Sequence, residues 1–173
     1  MRIGKIGFKS VILFVVMLFF LLEAEESFCF AYRYNYSYFV SPESIAPYVS
    51  RASRIYGIHP LVIESIIEVE SKYNVYALGK NVDGSYDVGL MQINSRWIPI
   101  LKKMGIRPED LWRPDVNIMV GSWILARCIG KHGYTWEAIG CYNSKNPYRK
   151  KKYAFKVYTV FLKKIKKKYY ASL

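Results

Sequence analysis

The sequence is poor in acidic residues, histidines and cysteines. Its 173 residues include 26 Lys or Arg against 13 Asp or Glu, a formal net charge of +13, with two His and three Cys. His59 and His132 are isolated and lack the set of Cys and carboxylate neighbours that a metal site needs. No Gly-rich phosphate loop and no Ser-His-Asp pattern stands out. We therefore expect no metal and no cofactor.

The sequence also lacks internal repeats, low-complexity linkers and Gly-Ser hinges, which argues against a second domain. A chain of 173 residues suits one compact domain. The only compositional shift is a Lys-rich end. We expect a signal peptide over residues 1–31, one domain over residues 32–147, and a basic C-terminal helix or tail over residues 148–173.

The N-terminus has the pattern of a signal peptide. Basic residues precede an unbroken apolar run of 12 residues, Val11–Leu22, which is too short to cross a bilayer as a helix. Cys29 and Ala31 then place small residues at the −3 and −1 positions of a cleavage site. Export with cleavage after Ala31 is the favoured interpretation, and an uncleaved anchor is the alternative.

Cleavage after Ala31 would leave two cysteines, Cys128 and Cys141, in the mature chain. An even pair in an exported protein indicates a disulfide. The residues between them, IGKHGYTWEAIG, predict a helix end, a Gly-containing turn and a new helix start, so that a helical hairpin would bring the sulfurs together. The alternative is two buried free thiols.

Positive charge is concentrated at the C-terminus, where ten Lys or Arg and no Asp or Glu follow from Arg149 onward. Nucleic acid is the usual partner of such a run, but an exported protein rarely meets it, so an anionic wall or membrane surface is the expected partner. Two interpretations stay open, a terminal helix packed on the domain and a surface-binding device. One helical face would carry Phe155, Tyr158, Phe161 or Leu162, Ile165 and Tyr169.

The rest of the chain predicts a mainly α fold, α+β at most, with one small β-hairpin. Asp83-Gly84 lies between two short strand-like segments and is a hairpin signal. Helices are predicted after Ser41, from Pro60 to Asn74, within 97–105, from an Asp115 cap to Gly130, and within 135–143.

Glu70 shares a helical stripe with Ile63, Ile66 and Ile67, at spacings i, i+3, i+4 and i+7. The stripe directs Glu70 toward the apolar interior, where desolvation and the negative helix end both raise the pKa of a carboxyl group. A raised pKa is what a general acid requires near neutral pH. The alternative is a buried structural Glu with satisfied hydrogen bonds.

Asp87 follows the predicted turn on the returning arm of the hairpin. Taken alone, it is explained as a turn residue that bonds nearby backbone N–H groups. A helix end and a facing hairpin are, however, the arrangement by which glycosidases place two carboxylates around one bond.

The stretch ESKYNVYALGKNVDGSYDVGLMQINSRW resembles the active-site stretch of hen-type lysozyme. Three motifs in order more widely resemble the soluble lytic transglycosylase family, which has a lysozyme-like fold: Glu70-Ser71, Gly89-Leu90-Met91-Gln92-Ile93 and Tyr142-Asn143. The similarity is strongest to small periplasmic enzymes that accompany type III secretion and type IV pilus systems.

The resemblance implies a periplasmic enzyme that cuts peptidoglycan without a metal or cofactor. Glu70 would protonate the oxygen between N-acetylmuramic acid and N-acetylglucosamine, and then act as base while the 6-hydroxyl closes a 1,6-anhydro ring. Asp87 would position the substrate or stabilise the charge that develops near the bond. By resemblance, Met91 and Gln92 would line the cleft, Gly89 would let backbone approach the sugar, Tyr142 and Asn143 would form the opposite wall, and Ser71 would hold the helix end.

Three alternatives stay open. A hydrolytic muramidase would use Glu70 and Asp87 as a lysozyme pair. A non-catalytic wall-binding assembly protein would not need Glu70. A membrane-active cationic protein would depend on the residues from Arg149 onward. Partners would be peptidoglycan strands and proteins of a secretion or pilus apparatus.

Overall fold

Helices form most of the structure. The computed structural model describes residues 38–171, and the predicted signal peptide lies outside them. Residues 39–171 belong to one compact unit. Within the described residues the helices are α1 (Pro42–Tyr56), α2 (Pro60–Ser71), α3 (Ile98–Lys103), α4 (Pro114–His132), α5 (Trp136–Asn143) and α6 (Pro147–Tyr170), and the strands are β1 (Leu78–Lys80), β2 (Tyr86–Val88) and β3 (Ile93–Asn94). The fold is mainly α with one small antiparallel sheet, as the sequence predicts.

Helix α2 contributes several buried residues to the core and begins where the sequence predicts. Pro60 occupies its first turn, and the ring of His59 accepts a hydrogen bond from the N–H of Leu61 at 3.2 Å. The three isoleucines of the predicted stripe, Ile63, Ile66 and Ile67, are each 0% exposed. The 3.6-residue period therefore identified the packed face of the helix correctly.

The end of α2 differs from the prediction. The helix ends at Ser71, and Lys72 closes it in the left-handed conformation with φ 51°. Asn74, the predicted last residue, instead turns the chain, because its side-chain oxygen accepts from the N–H of Tyr76 at 2.9 Å. This early stop places Glu70 in the last helical turn.

The sheet contains the predicted hairpin and one strand more. β1 and β2 pair on either side of the Asp83-Gly84 turn, where the Asp83 carboxylate accepts from the N–H of Ser85 at 2.9 Å. β3 adds to the other edge of β2, so that Asp87 lies opposite both Gly79 and Asn94. A strand of two residues is too short to show an alternating pattern, which is why the sequence did not predict it.

Both predicted ends of α4 are wrong. The helix begins at Pro114 with Arg113 as its N-cap residue, and Asp115 lies inside the first turn, where it pairs with Arg113 at 2.9 Å. The helix continues past Gly130, which is tolerated in its interior, and stops before Gly133, whose φ is 70°. Of Gly130 and Gly133, only Gly133 has a positive φ, and it is the residue that follows the helix end.

The predicted disulfide is confirmed. Cys128 on α4 and Cys141 on α5 are bonded, with 5.8 Å between their Cα atoms and a sequence separation of 13. The bond joins the two helices across the Gly133 turn.

We expect the double variant Cys128→Ser/Cys141→Ser to lose about 3 kcal/mol of unfolding free energy, because the open loop gains entropy in the unfolded chain. Urea denaturation of both proteins measures this loss. The native chain unfolded with reductant is the matched control and should reach the same stability. An unchanged midpoint in both comparisons would contradict the prediction.

Helix α6 packs on the domain, and the side that packs is not the apolar face noted in the sequence. Its buried residues are Tyr153, Ala154 and Val157. Most of the predicted apolar face is exposed instead, including Phe155 at 68% and Tyr158 at 39%. The basic end is therefore a long helix whose first half belongs to the core.

Candidate active site

The carboxyl group of Glu70 lies in the last turn of α2, partly buried beside the core. Burial is the main cause that raises the pKa of Glu70 to about 7, and the hydroxyl of Tyr153 opposes this by donating a hydrogen bond. The charge of Asp87 raises the pKa further, and Lys156 lowers it. Glu70 therefore holds its proton near neutral pH, as a general acid must.

Tyr153 is a site residue that the sequence analysis missed. Its hydroxyl donates to Glu70 Oε1 at 2.5 Å, from a position on α6 that is 83 residues away in sequence. Tyr153 is 6% exposed and stacks on Tyr142 with 6.4 Å between ring centroids. Burial and the neighbouring carboxylate raise the pKa of Tyr153 well above its ordinary value, so it remains a hydrogen-bond donor. No local motif marks it, because only the packing of α6 brings it to Glu70.

Asp87 lies on the middle strand, where two amide side chains hold it. Asn81 Nδ2 donates to one carboxylate oxygen at 2.8 Å, and Asn94 Nδ2 donates to the other at 2.8 Å. Asn81 is in the turn and Asn94 is on β3, so the sheet fixes the carboxylate from both edges. This fixed charge lies close enough to Glu70 to affect its pKa. The structure thus brings the two predicted carboxylates into one site.

Tyr142 on α5 connects the site to the Met91 segment. Its hydroxyl donates to the backbone carbonyl of Met91 at 2.7 Å. Burial raises the pKa of Tyr142 well above its ordinary value, and the charges of Glu70 and Asp87 add to this effect. Tyr142 therefore lies near enough to both carboxylates to feel their charges.

The side chain of Met91 faces the interior and is 0% exposed. A Cβ atom added to Gly121 on α4 would lie only 2.4 Å from the Met91 sulfur. This differs from the expectation that the Met91 side chain lines the cleft. The contribution of Met91 to the site comes through its backbone carbonyl.

Gln92 and Gly89 shape the turn between β2 and β3. Gln92 has a left-handed backbone, with φ 47°, and its side-chain amide donates to the carbonyls of Ala77 and Gly89 at 2.9 Å each. Gly89 has φ 76°, and a Cβ there would lie 2.3 Å from the Asn117 amide. Asn117 is 1% exposed and also holds the N–H of Met91, at 2.8 Å. A non-glycine residue with positive φ marks a strained position, which is common at functional sites.

The remaining predicted site residues lie at the two helix ends. The Ser71 hydroxyl donates to the carbonyl of Ile67 at 3.1 Å and so holds the end of α2. Asn143 is the last residue of α5 and is exposed. Within residues 38–171 no group of three or more His, Cys, Asp or Glu is placed to hold a metal ion.

Comparison with known sequences finds a matching family model and several relatives. The model of the family described as "Transglycosylase SLT domain" matches residues 47–158. "Invasion protein IagB" of Salmonella typhimurium is 39% identical over 118 residues, covering 65% of this chain and 74% of the relative. A "peptidoglycan-binding-like protein" of Escherichia coli O157:H7 is 37% identical over 124 residues, with the same two coverages of 65% and 74%.

A solved structure supports the fold. An inactive mutant of lytic transglycosylase Slt from Pseudomonas aeruginosa superposes with a TM-score of 0.58 at 20% identity. The match covers 69% of this chain and 24% of that one. The lysozyme-like fold predicted from the sequence is therefore confirmed.

Proposed function

Since the chain belongs to the transglycosylase SLT family and is a lytic transglycosylase that cleaves glycosidic bonds, we propose that it cuts peptidoglycan strands between N-acetylmuramic acid and N-acetylglucosamine and leaves 1,6-anhydro-muramyl ends. Glu70 is the catalytic acid and base of this reaction. The observation that carries the proposal is a carboxyl group with a pKa of about 7, held by Tyr153 and facing the fixed charge of Asp87.

The first step transfers the Glu70 proton to the glycosidic oxygen as the bond from that oxygen to C1 of muramic acid breaks. Positive charge develops at C1, and the carboxylate of Asp87 stabilises it. In the second step the 6-hydroxyl attacks C1 and gives its proton to the Glu70 carboxylate. The acid is regenerated, no water is consumed, and one carboxyl group serves both steps.

Three further side chains are proposed to contact the glycan, and a fourth to act through the helix end. Gln92 and Asn143 would contribute polar groups and Tyr142 an aromatic wall. Ser71 is buried and its hydroxyl bonds the Ile67 carbonyl, so it would act by holding the end of α2 next to Glu70. Gly89 supplies the positive φ that the turn after β2 requires, and its missing side chain leaves room for the buried Asn117 amide. Alanine variants of Gln92 and Asn143 should raise KM for glycan strands more than they lower kcat.

The test is mass spectrometry of the fragments that the purified mature chain releases from peptidoglycan. Anhydro-muramyl ends that disappear in Glu70→Gln are the expected result. Reducing ends, also dependent on Glu70, would instead establish hydrolysis. No fragments from either protein would overturn the enzymatic proposal for this substrate.

Hydrolysis is the second candidate, and the fixing of Asp87 by Asn81 and Asn94 favours it. A carboxylate held by two amides is a preorganised charge beside C1. Such a charge would prolong the lifetime of the cation and allow water to attack in place of the 6-hydroxyl. Asp87→Asn should then shift the remaining product toward the anhydro form, whereas under the first mechanism the product should stay unchanged.

Substitutions of Asp87 and Tyr153, the two neighbours of Glu70, are expected to shift the pH profile of cleavage in opposite directions. Cleavage requires protonated Glu70, so the rate falls as pH rises through about 7. Asp87→Asn removes a charge that raises the Glu70 pKa, which moves this fall to lower pH and lowers kcat by roughly 10²-fold. Tyr153→Phe removes a hydrogen bond that lowers the Glu70 pKa, which moves the fall to higher pH.

The measurement is kcat against pH for both variants and the native chain. Tyr148→Phe is the matched control, since Tyr148 is on the same helix and 75% exposed, and its profile should equal the native one. Shifts of the same sign in Asp87→Asn and Tyr153→Phe would contradict the assignment.

The proposed place of action is the periplasm, after export through residues 1–31. The name "invasion protein" of the Salmonella relative and the resemblance to secretion-associated and pilus-associated enzymes support a role in opening the wall for such an apparatus. Replacing the native chain by Glu70→Gln in cells should then reduce assembly of the apparatus. Cleavage after Ala31 is checked by the N-terminal mass of the exported chain.

A further inference from the structure

Helix α6 presents an apolar row to solvent, formed by Phe155, Tyr158, Leu162 and Ile165. Their side chains are 68%, 39%, 37% and 41% exposed. The spacing i, i+3, i+7 and i+10 puts them on one side of the helix over about 15 Å. We call these four residues the α6 row.

The α6 row lies away from the catalytic acid. At 100° per residue, its members project about 120° to 200° around the helix from Tyr153, which contacts Glu70. Tyr153 and Val157 form the packed side of the helix. A surface that covers the α6 row would therefore leave the contact between Tyr153 and Glu70 in place.

Positive charge surrounds the α6 row. The helix carries ten Lys or Arg and no acidic residue. Among the described residues, Lys150 pairs with Glu137 at 2.7 Å and Lys164 pairs with Glu68 at 2.6 Å. Lys151, Lys163 and Lys166, which neighbour members of the row, are exposed. The surface around the row thus complements a negatively charged partner.

Aromatic residues extend the apolar surface. Trp136, at the start of α5, is 40% exposed and meets Tyr158 edge to face with 5.0 Å between ring centroids. Tryptophan and tyrosine are favoured at the boundary between lipid headgroups and hydrocarbon, and lysines extend from that depth toward phosphate groups. A row of this kind with basic flanks is typical of helices that lie in the membrane interface.

We propose that α6 docks the domain on an anionic phospholipid surface. The α6 row enters the headgroup region, and the neighbouring lysines contact lipid phosphates. No helix within residues 38–171 is both long and apolar enough to cross a membrane, and docking needs none. The proposal does not depend on the cleavage chemistry, and it places the enzyme at a membrane face next to its substrate.

The test is sedimentation with vesicles, using the chain from residue 32 because residues 39–171 belong to one compact unit. Vesicles of phosphatidylcholine with phosphatidylglycerol should bind the chain about tenfold more tightly than phosphatidylcholine alone. Phe155→Glu/Leu162→Glu should lower binding to the anionic vesicles by about tenfold or more. Glycan cleavage by this variant on soluble fragments should stay at the native rate.

The matched control is Ile55→Glu/Val82→Glu. These two residues are 56% and 110% exposed and lie on α1 and in the hairpin turn. The control adds the same charge and removes two exposed apolar side chains, yet should bind vesicles as the native chain does. Equal loss in both double variants, equal binding to neutral vesicles, or a loss seen only with whole peptidoglycan would overturn the proposal. The last outcome would assign the row to the wall.

Discussion

Replacing Glu70 by Gln is expected to lower the rate of glycan cleavage by about 10³-fold or more, with the fold intact. The amide has nearly the shape of the carboxyl group and still accepts the hydrogen bond from Tyr153. It cannot give a proton to the leaving oxygen or take one from the 6-hydroxyl, so both steps lose their proton carrier. Release of soluble fragments from peptidoglycan measures the rate.

Glu64→Gln is the matched control, because Glu64 lies on the same helix and burial also raises its pKa. Its side chain projects away from the stripe that carries Glu70, and its variant should retain native activity. A Glu70→Gln protein with more than about a tenth of the native rate would show that another group supplies the proton.

The same substitution is expected to stabilise the protein, but only at higher pH. Burial raises the pKa of Glu70 from 4.5 to about 7, so the folded chain holds this proton more tightly than the unfolded chain does. The stability linked to the proton is fully present below pH 4.5 and is lost as pH rises through about 7. Glu70→Gln has no such loss and should gain about 3 kcal/mol over the native chain at pH 8, relative to the difference at pH 4.

Urea denaturation of both proteins at the two pH values measures this gain, and the acidic comparison is the internal control. If the two proteins differ in unfolding free energy by the same amount at pH 4 and pH 8, Glu70 has the same pKa in the folded and unfolded chains. Glu70 would then lack the raised pKa that the mechanism requires of its general acid. A gain at pH 8 together with lost cleavage would show that the native site gives up stability for activity.

Local patterns predicted the parts of the fold that local physics determines. The period of Ile63, Ile66 and Ile67 located the packed face of α2 and the direction of Glu70. The Asp83-Gly84 turn located the hairpin and so the strand of Asp87. Both are properties of a few neighbouring residues, and the structure agrees with both.

Long-range contacts account for what the sequence analysis missed. Tyr153 reaches Glu70 across 83 positions, and β3 has two residues whose pairing with β2 alone defines it. The packed face of α6 was also not identified, because the helix has two apolar sides and hydrophobicity alone does not say which one meets the core. Here the smaller side, with Ala154 and Val157, fits against the other helices.

The fit of Met91 against Gly121 has a consequence for how the sequence can vary. Any side chain at Gly121 would overlap the Met91 sulfur, since even a Cβ would lie 2.4 Å from it. A larger residue at Gly121 therefore requires a shorter one at Met91 and a shift of the backbone, because the Met91 Cβ would itself lie 2.8 Å from the added Cβ. Either substitution alone leaves a clash or a cavity. The two positions are therefore expected to covary during evolution. Relatives that differ from this chain at one of the two positions should also differ at the other.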